Sequence, residues 1–463
     1  MKSPLILGAG PAGLGVASHL AKAGIPSILV EKEQTVGGLG ATFESDGYRF
    51  DLGPHVLHPK DPAVSQFIQR TMGHDLLQPV TPRQVLSHGR IVDYPIKGLR
   101  VLTTLPPHLA IAASIDFIRT RAALFLHTPA PDSELSFEAW VRNRFGPVLY
   151  GIYFGPYVEK VWKMPGRDLS VYVAHKRVPV TSIRDQIRGW LHMLPRIVHD
   201  ESGRLEQFYC RRGTGQLFDI LSRQVTDAGS SILTGSEIVS IKGQDKRIRS
   251  VVVRRDGVTQ EIQTDFLFST IPLSDFIGCL DLDVPGDVRA ATKCLDYCAE
   301  RILYLKIRNP DIQFPALLYF AEPSVRFNRV SNINAFSREC VPEGRSALCV
   351  EFTCNVGDEL WSKSEDSLYE EVMGVFEKYR LVKRNEVEGY VTRQVPYAYP
   401  RFRVGFERHL ATIRQYVSGL DNMRSLGRHG DFNYSNIDDV FKTAFDACDQ
   451  LLSSGFERGG RHG

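Results

Sequence analysis

The sequence predicts an α/β fold in which a Rossmann-like, doubly wound domain is interleaved with a second, α+β domain. The first observation is the opening of the chain, where an apolar run, a glycine turn, a helical repeat and another apolar run follow one another. The second is a series of short strand patterns after residue 230, which follows a long helical and aromatic region. The third is a strand, a glycine turn and a helix start around residues 423–438. Strands that alternate with helices in this way build parallel sheets.

The opening of the chain is typical of a nucleotide-binding βαβ unit. The first apolar run ends at Leu7, helical periodicity extends from Gly13 to Gly24, and the second run ends at Val30. The turn fits the pattern G-x-G-x-x-G through Gly8, Gly10, Pro11, Ala12 and Gly13. In this pattern the first glycine makes a tight turn, the second lets a pyrophosphate approach the backbone, and the third lets helix and strand pack closely. The pyrophosphate faces unpaired N–H groups at the helix start.

Two further features favour FAD over NAD. Glu31 and Lys32 follow the second strand, where the acid can hold ribose hydroxyls and disfavours a 2′-phosphate. Gly37 and Gly38 form a second glycine loop, which suits a cofactor whose second half crosses another backbone segment. A helix start near the C-terminus can hold negative charge on a reduced flavin ring, and its segment contributes Gly427, Arg428, Tyr434, Asn436, Ile437 and Asp438. We therefore expect both ends of the chain to bind one FAD.

The composition limits other functions. The 463 residues suffice for two or three domains, and the hydrophobic fraction of 43% is ordinary for a globular protein. The net charge is +3 and the basic residues are scattered, which argues against a nucleic-acid partner. Eight cysteines without a C-x-x-C pair favour reduced thiols and a cytoplasmic location, and the 13 histidines show no zinc-binding spacing. The oligomeric state is not predicted by these features.

The sequence also predicts no stable membrane insertion, because no stretch reaches the ~20 apolar residues that cross a bilayer. The nearest stretch, Leu102 to Leu126, is interrupted by Asp116, Arg119 and Arg121. We expect a buried or lid helix pair there. A peripheral contact of this segment with a membrane surface stays open at this stage.

Taken together, these residues resemble the FAD-dependent amine oxidase and protoporphyrinogen oxidase superfamily, close to its UDP-galactopyranose mutase-like branch. Besides the two glycine motifs, the segments Asp51 to His58 and Leu149 to Trp162 carry the resemblance, which covers nearly the whole chain. It implies a two-domain flavoenzyme with FAD between its own domain and a substrate domain. It also implies that Gly53, Pro54 and His55 lie beside the flavin ring.

The same resemblance separates a mutase from an oxidoreductase. Mutases hold the sugar diphosphate with arginines in an Arg-x-Pro-x-Arg stretch and in a Tyr-Arg pair. Here the stretch reads Arg177-Val-Pro-Val-Thr181 and the counterpart of the pair is Tyr297-Cys298, so two arginines are missing. Because a diphosphate requires cationic donors, the mutase reaction does not transfer unless Arg184 or Arg301 substitutes.

The sequence therefore predicts an FAD-dependent oxidoreductase, either an oxidase or a dehydrogenase, that transfers a hydride from a small organic substrate to flavin N5. Sugar nucleotides, glycosides and specialised metabolites are the substrate classes considered. The catalytic candidates are His55, His58, Lys160, Arg177 and Tyr399. The two histidines are chosen because ordinary imidazole titrates near pH ~6.5 and can exchange a proton near neutrality. A redox-neutral sugar mutase that uses reduced FAD and a non-catalytic FAD-binding protein are the alternatives.

These patterns also predict the domain boundaries. The Rossmann-like FAD-binding domain is assigned to residues 1–80, 205–275 and 420–455. The α+β substrate-binding domain, which includes a helical part over Pro82 to Leu205, is assigned to residues 81–204 and 276–419. Tyr397 to Arg403 is predicted to be a loop, and residues 456–463 a disordered tail because of their glycines.

Overall fold

The structure is a computed structural model that describes residues 3–94, 100–126, 135–177 and 207–454. The chain divides into two compact units. The first unit contains residues 1–95, 207–401 and 407–463, and the second contains residues 96–206 and 402–406.

A five-stranded parallel sheet lies in the first unit. Its strands have three residues each, in the order Met423–Ser425, Leu267–Ser269, Leu5–Leu7, Ile28–Val30 and Ser231–Leu233. The helices Pro11–Lys22, Gly215–Asp227 and Ile437–Ser453 bury their apolar faces in one core with this sheet. This arrangement confirms the predicted α/β class with a parallel sheet.

A four-stranded sheet follows in the same unit. Its order is Val258–Gln263, Arg247–Arg255, Ser236–Gln244 and Leu280–Asp281. The hairpin between Arg247–Arg255 and Val258–Gln263 turns at Asp256 and Gly257, whose φ angles are 50° and 77°. Positive φ at both positions is the signature of a type I′ turn, which matches the twist of the strands that it joins. The Asp-Gly hairpin predicted from the sequence is therefore confirmed.

A seven-stranded mixed sheet completes the first unit. Its order is Val387–Arg401, Asp296–Ile307, Ser346–Cys354, Arg329–Asn332, Leu317–Phe320, Arg83–Ser87 and Arg90–Asp93. One face packs on the helix Glu365–Lys378, where Leu348, Val350 and Phe352 are buried. The other face belongs to a second core with Phe50.

Shorter elements connect these sheets. The paired strands are Thr42–Ser45 with Tyr48–Asp51 and Leu76–Leu77 with Tyr209–Cys210. The remaining α-helices of this unit are Pro62–Met72, Leu273–Cys279, Gly286–Thr292, Glu359–Ser362, Phe406–Ser418 and Gly427–Gly430.

Helices form the described part of the second unit. They are Arg100–Thr103, Pro107–Leu126, Phe137–Phe145, Pro147–Leu149, the π-helical turn Tyr150–Phe154, Gly155–Trp162 and Val171–Arg177. Where the sequence predicts a buried or lid helix pair over 102–126, the structure has one long helix, Pro107–Leu126, after the short helix Arg100–Thr103. The long helix is not fully buried, since Ile111, Ile115 and Ile118 are 61%, 47% and 65% exposed. Among the described residues, no helix is long and apolar enough to cross a membrane.

Four expectations differ from the structure or are not tested by it. The sequence predicts that residues 83–93 belong to a helical region, but they form two strands of the seven-stranded sheet. Val85 and Leu86 are buried there, where the first of these strands pairs with Leu317–Phe320. Tyr397 to Arg403 is not a loop throughout, because the edge strand continues to Arg401. The tail at 456–463 lies outside the described residues. Residues 276–401 belong to the same compact unit as the nucleotide-binding segments. The division into cofactor and substrate domains stays a prediction.

Candidate functional site

The first glycine turn contains glycines of two kinds. Gly8 has a φ of +96°, and a Cβ on it would lie 2.4 Å from Thr270 Oγ1. A Cβ on Gly13 would lie 1.9 Å from the carbonyl oxygen of Gly8. Gly10, in contrast, has a φ of −79°, and a Cβ on it would meet its nearest atom, Gly38 Cα, at 3.7 Å. Protein packing therefore requires glycine at 8 and 13, whereas a Cβ on Gly10 would make only ordinary van der Waals contacts.

Glu31 connects this turn to the loop after the second strand. Its buried carboxylate accepts hydrogen bonds from the backbone N–H of Ala9 at 2.7 Å and of Glu33 at 3.0 Å. Burial raises the pKa of Glu31, although both backbone hydrogen bonds oppose the shift. Lys32 is exposed to solvent. Glu31 thus holds the glycine turn and the loop after the second strand together. Lys32 lies at the surface, and its predicted role in cofactor binding stays a prediction.

The second glycine loop lies against the first. Gly37 has a φ of +103° and donates its N–H to the carbonyl oxygen of Ala9 at 2.8 Å. Gly38 has a φ of +51°, and a Cβ on it would lie 3.1 Å from Gly10 Cα. The two glycine motifs of the N-terminal segment are therefore packed so closely that a side chain at Gly38 would crowd the backbone of Gly10.

The C-terminal motif meets the same turn. Gly427 has a φ of +86°, and a Cβ on it would lie 2.8 Å from the Cβ of Ala12, one residue beyond Pro11 at the helix start. The expected meeting of the two ends of the chain is thus present in the structure. Arg428, the next residue, donates from Nε to Ser435 O at 3.0 Å and from Nη1 to Ala398 O at 3.3 Å.

The closing helix Ile437–Ser453 begins beside this motif. Asn436 caps it, in a reciprocal capping box with Asp439. Asp438 is buried, and its carboxyl accepts a hydrogen bond from the backbone N–H of His58. Its Oδ1 atom has no hydrogen-bond partner among the described residues. Burial, together with repulsion from Asp439, raises the pKa of Asp438 to about 6.

A pocket in the first unit brings together three distant parts of the sequence. They are the segment after the second glycine loop, the seven-stranded sheet and the C-terminal motif. The lining residues are Leu39, Leu52, Gly53, His55, Glu300, Arg329, Glu351, Val395, Ala398, Tyr399 and Arg428. Gly53 has a φ of +83°, and a Cβ on it would lie 2.9 Å from Glu351 Oε1. The backbone before Pro54 therefore approaches the sheet as closely as a glycine allows.

Strand register explains why charged residues of the sheet meet in this pocket. Arg329 pairs with Glu351, and Glu351 pairs with Ile302. Cross-strand partners share a face, and residues two apart on one strand also share a face. Glu300 therefore lies on the same side as Glu351 and Arg329. These three side chains of the sheet thus meet at the pocket, which Arg428 also lines.

Arg329 and Glu351 form an ion pair with each other, whereas the Glu300 carboxyl is only partly hydrogen-bonded. Arg329 donates two hydrogen bonds to Glu351, which is buried, so the two charges compensate each other. Glu300 accepts a hydrogen bond from the Tyr399 hydroxyl, while its Oε1 atom has no partner among the described residues. Burial, with the nearby Glu351 carboxylate, raises the pKa of Glu300 to about 8, although Arg329, Tyr399 and Arg428 oppose the shift.

His55 lines the same pocket but differs from the expectation based on ordinary imidazole. Burial, with the cations Arg428 and Arg329, lowers the pKa of His55 to about 4. The imidazole is therefore neutral at pH 7, and its Nδ1 atom has no partner among the described residues. The expected proton exchange near neutral pH does not follow from this environment. A neutral base with one open nitrogen does follow.

Tyr399 and Tyr434 stack on each other beside the Arg428 guanidinium. Their rings are nearly parallel, with centroids 5.9 Å apart, and the guanidinium carbon lies 5.7 and 5.3 Å from them. Such cation–π contacts favour a charged guanidinium that is partly removed from water. Tyr399 reaches this position because the edge strand bulges between its pairings with Cys298 and Glu300.

Three other catalytic candidates are not among the residues that line this pocket. His58 lies next to Asp438, and burial with Arg83 and Lys60 lowers its pKa. Lys160 is buried on the helix Gly155–Trp162 of the second unit. Arg177 ends a helix of that unit, and its side chain lies outside the described part of the chain.

The arginines that could replace those of the mutases give no support to that reaction. Arg301 follows Glu300 directly on one strand, so it lies on the opposite face of the sheet from the pocket. Arg184, together with Thr181, lies outside the described residues. Tyr297, of the Tyr-Cys pair, packs its ring on His429 and Phe432.

Sequence reasoning missed Glu300, Arg329 and Glu351. Two of them had a visible signal, since Glu300 interrupts the run Cys298-Ala-Glu-Arg-Ile-Leu and Glu351 interrupts Leu348-Cys-Val-Glu-Phe. A charged residue within an apolar strand is rarely buried without a partner or a function. Arg329 carried no such signal, because its pairing with Glu351 depends on strands that are joined only in the folded sheet.

The residues of the first unit fit FAD. The glycine at position 10 and the start of the helix Pro11–Lys22 suit the close approach of a pyrophosphate, and Glu31, directly after the second strand, would hold a ribose. The unpartnered Oδ1 atom of Asp438 is a buried acceptor at the start of the closing helix. Bound FAD would supply a ring that accepts a hydride.

Comparisons with known proteins agree with this site. The chain matches the family described as flavin containing amine oxidoreductase over residues 11–452. It is 28% identical to protoporphyrinogen oxidase 1 of Arabidopsis thaliana over 180 residues, which are 38% of this chain and 33% of that protein. It is 36% identical to the lycopene-forming phytoene desaturase of Pantoea ananas over 101 residues, 20% of each chain. The matched regions thus span a third or less of these curated relatives.

Solved structures share the fold. Reduced UDP-galactopyranose mutase superposes with a TM-score of 0.83 at 21% identity, covering 99% of this chain and 97% of that one. A protein described as a putative protoporphyrinogen oxidase from Exiguobacterium sp. 255-15 gives a TM-score of 0.74 at 16% identity, covering 98% and 99%. The match to the family spans most of the chain and confirms the superfamily and the cofactor predicted from the sequence. The chain therefore belongs to the flavin-containing amine oxidoreductase family and uses FAD as its cofactor.

Proposed function

We propose that this protein is an FAD-dependent oxidoreductase that removes a hydride from a carbon of a small organic substrate. The observation that carries the proposal is the pocket that joins the segment at His55, the sheet residues Glu300 and Tyr399, and Arg428. The same unit contains the candidate nucleotide site, which is built from the N-terminal and C-terminal segments of the chain. A dehydrogenated substrate also loses a proton, and the pocket offers groups that can hold one.

The roles of individual residues follow from their environments. His55 is neutral at pH 7 and its Nδ1 atom has no partner among the described residues, so it suits a hydrogen bond with a heteroatom of the bound molecule. Burial and the two arginines that lower its pKa disfavour a protonated imidazole. Arg428 is positioned to hold an electron-rich group, because its guanidinium lies at the pocket wall beside two stacked tyrosine rings. Tyr399 orients the Glu300 carboxyl. His58, Lys160 and Arg177 remain predicted contributors without a place in this pocket.

The curated relatives support an oxidative reaction. Their names denote an oxidase and a desaturase, both of which take electrons from an organic substrate. Sugar nucleotides, glycosides and specialised metabolites remain the substrate classes that we would test. A cytoplasmic location and the absence of a nucleic-acid partner remain predictions.

A redox-neutral sugar mutase is the second candidate, since the mutase fold covers nearly the whole chain. Against it, the two counterpart positions lack arginine, and Arg301 lies on the far face of the sheet from the pocket. A non-catalytic FAD-binding protein is the third candidate. Buried, unpartnered polar atoms in the pocket argue against a purely structural role.

Anaerobic mixing of the holoenzyme with candidate substrates separates the three. We expect bleaching of the visible flavin absorbance by one substrate class, followed by recovery when oxygen or another acceptor is added. Product formation without any bleaching of oxidised flavin, or turnover only after prior reduction with dithionite, would contradict the oxidoreductase proposal and favour a mutase. A flavin that is neither reduced nor able to turn over any member of the three classes would favour the non-catalytic alternative.

A further inference from the structure

Two buried polar atoms in the pocket have no partner among the described residues. They are Oε1 of Glu300 and Nδ1 of His55, and both residues line the same cavity. Buried polar atoms are nearly always hydrogen-bonded, and one without a partner destabilises the folded protein. The cavity is therefore shaped for a bound polar group.

The remaining contacts of Glu300 decide which kind of hydrogen bond it can offer. The Tyr399 hydroxyl donates to the carboxyl, and Oε1 is unpartnered, so Tyr399 occupies Oε2. The donors of Arg329 that face the carboxylates are directed to Glu351 in a two-point contact. A carboxylic acid whose Oε2 accepts from Tyr399 can carry its proton on Oε1 and donate it into the pocket.

Arg428 offers donors to the same space. Its Nε and one Nη1 hydrogen are used by the carbonyl oxygens of Ser435 and Ala398. Within the described ranges, no atom accepts a hydrogen bond from its Nη2 atom. A guanidinium has five N–H donors, so at least two remain for a bound group.

The charged and titratable groups around Glu300 lie on neighbouring strands of the sheet and on the segments that close the pocket. Glu351 and Arg329 belong to neighbouring strands and compensate each other, Tyr399 lies on the edge strand, and His55 and Arg428 belong to the segments that close the pocket. With a neutral His55 the pocket carries the single positive charge of Arg428 while Glu300 is protonated. Since burial and Glu351 raise the pKa of Glu300 to about 8, that state holds at neutral pH and is lost above it.

We propose that Glu300 and Arg428 donate hydrogen bonds to one oxygen acceptor, a carbonyl or carboxylate oxygen, of the molecule bound in this pocket. The inference rests on the proposed function and narrows its substrate class to molecules with such an oxygen near the reacting carbon. A hydrocarbon would leave both donors unsatisfied. A carbonyl of the flavin ring has the same acceptor chemistry, and the experiment distinguishes it from the substrate.

The test uses the purified holoenzyme with acetate as the probe and methylammonium as a control of opposite charge. Acetate dissociation constants are measured at pH 6.5 and 9.5 from difference spectra of the flavin. The variants are Glu300→Gln, which keeps a donor but does not ionise, and Glu300→Leu, which has none. Thr353→Val is the matched control, because Thr353 pairs with Glu300 on the same face, is buried, and has an unpartnered hydroxyl among the described residues.

For the wild type we expect acetate binding to weaken about tenfold or more from pH 6.5 to 9.5, the loss of one hydrogen bond to a charged group. Glu300→Gln should bind acetate equally at both pH values, Glu300→Leu about tenfold more weakly at pH 6.5, and Thr353→Val as the wild type does. Methylammonium should bind to none of the four proteins at pH 6.5.

If the acceptor belongs to the flavin, acetate will not bind, but the flavin absorption band of the wild type will shift between the two pH values and that of Glu300→Gln will not. The proposal is overturned if neither the acetate constants nor the flavin band shows a pH dependence that Glu300→Gln removes. A Glu300-dependent effect in an enzyme that no substrate reduces would instead contradict the proposed function alone.

Discussion

Gly10 and Gly13 belong to one turn, yet they are glycines for different reasons. A Cβ on Gly13 would overlap the Gly8 carbonyl oxygen, whereas a Cβ on Gly10 meets only ordinary contacts. We expect Gly13→Ala to lower the free energy of unfolding of the apoprotein by about 3 kcal/mol. We expect Gly10→Ala to change it by less than about 1 kcal/mol, because a small loss of capping is offset by a less flexible unfolded chain.

The two variants should also differ in cofactor binding. Gly10→Ala should weaken FAD at least about tenfold, because its methyl group would enter space reserved for the pyrophosphate. Urea unfolding of the apoproteins and FAD titration by fluorescence quenching measure the two quantities. Unchanged FAD affinity in Gly10→Ala would show that the pyrophosphate does not bind next to Gly10.

Glu300 makes the stability of the protein depend on pH in a defined direction. Its pKa is raised to about 8 in the folded protein, against an ordinary value of 4.5, so the folded state holds the proton more tightly than the unfolded state does. Stability from this group is complete below pH 4.5 and is lost as the pH rises to about 8. We expect the melting temperature of Glu300→Gln to fall less than that of the wild type between pH 6 and 9. Parallel curves for the two proteins would show that Glu300 is ionised at neutral pH.

At the scale of elements, the closing helix Ile437–Ser453 has two separate tasks. Phe441 is fully buried, and its ring contacts the ring of Phe67. On its other side is Gly15, where a Cβ would lie only 2.9 Å from the Phe441 ring. We expect Phe441→Ala to lower the free energy of unfolding by about 3–5 kcal/mol. Asp438→Asn, at the start of the same helix, should instead weaken FAD retention and leave apoprotein stability within about 1 kcal/mol.

Urea denaturation of the apoproteins and the flavin content after gel filtration separate these effects. If Asp438→Asn unfolds as readily as Phe441→Ala, the helix start serves packing rather than the cofactor. If Asp438→Asn retains FAD like the wild type, its unpartnered Oδ1 atom does not face the cofactor.

The elements also show where a pattern predicts correctly and where it fails. The short strands of the parallel sheet were predictable, because fully buried apolar runs are bounded by glycine or polar residues. The end of the strand Val387–Arg401 falls in the segment Tyr397 to Arg403, for which the sequence predicts a loop. The strand contains Pro396 and Pro400, which lack the N–H that a central strand must donate. The strand lies at the edge of the seven-stranded sheet, where proline is tolerated. Edge position is a property of the sheet, which the local sequence does not show.

At the scale of the whole molecule, the nucleotide site depends on residues more than 400 positions apart, since Gly427 contacts Ala12. We expect a chain truncated before Gly427 to lose FAD completely and to expose the core that the closing helix covers. A chain that ends at Ser454 keeps the whole closing helix and is the matched control. Flavin absorbance after gel filtration is the measurement. A yellow protein that lacks residues 427–463 would refute a site built from both ends of the chain.

The sequence by itself determined the class of the fold, the cofactor and the residues of the glycine motifs. These depend on local features, since a turn with positive φ, a helix start and a buried three-residue strand each leave a mark within a few residues. Only the tertiary structure decided what surrounds the pocket. Strand register placed Glu300 and Glu351 on one face, and burial made His55 a neutral base and Glu300 a neutral acid. A pKa depends on desolvation and on charges from distant segments, and neither exists before the chain is folded.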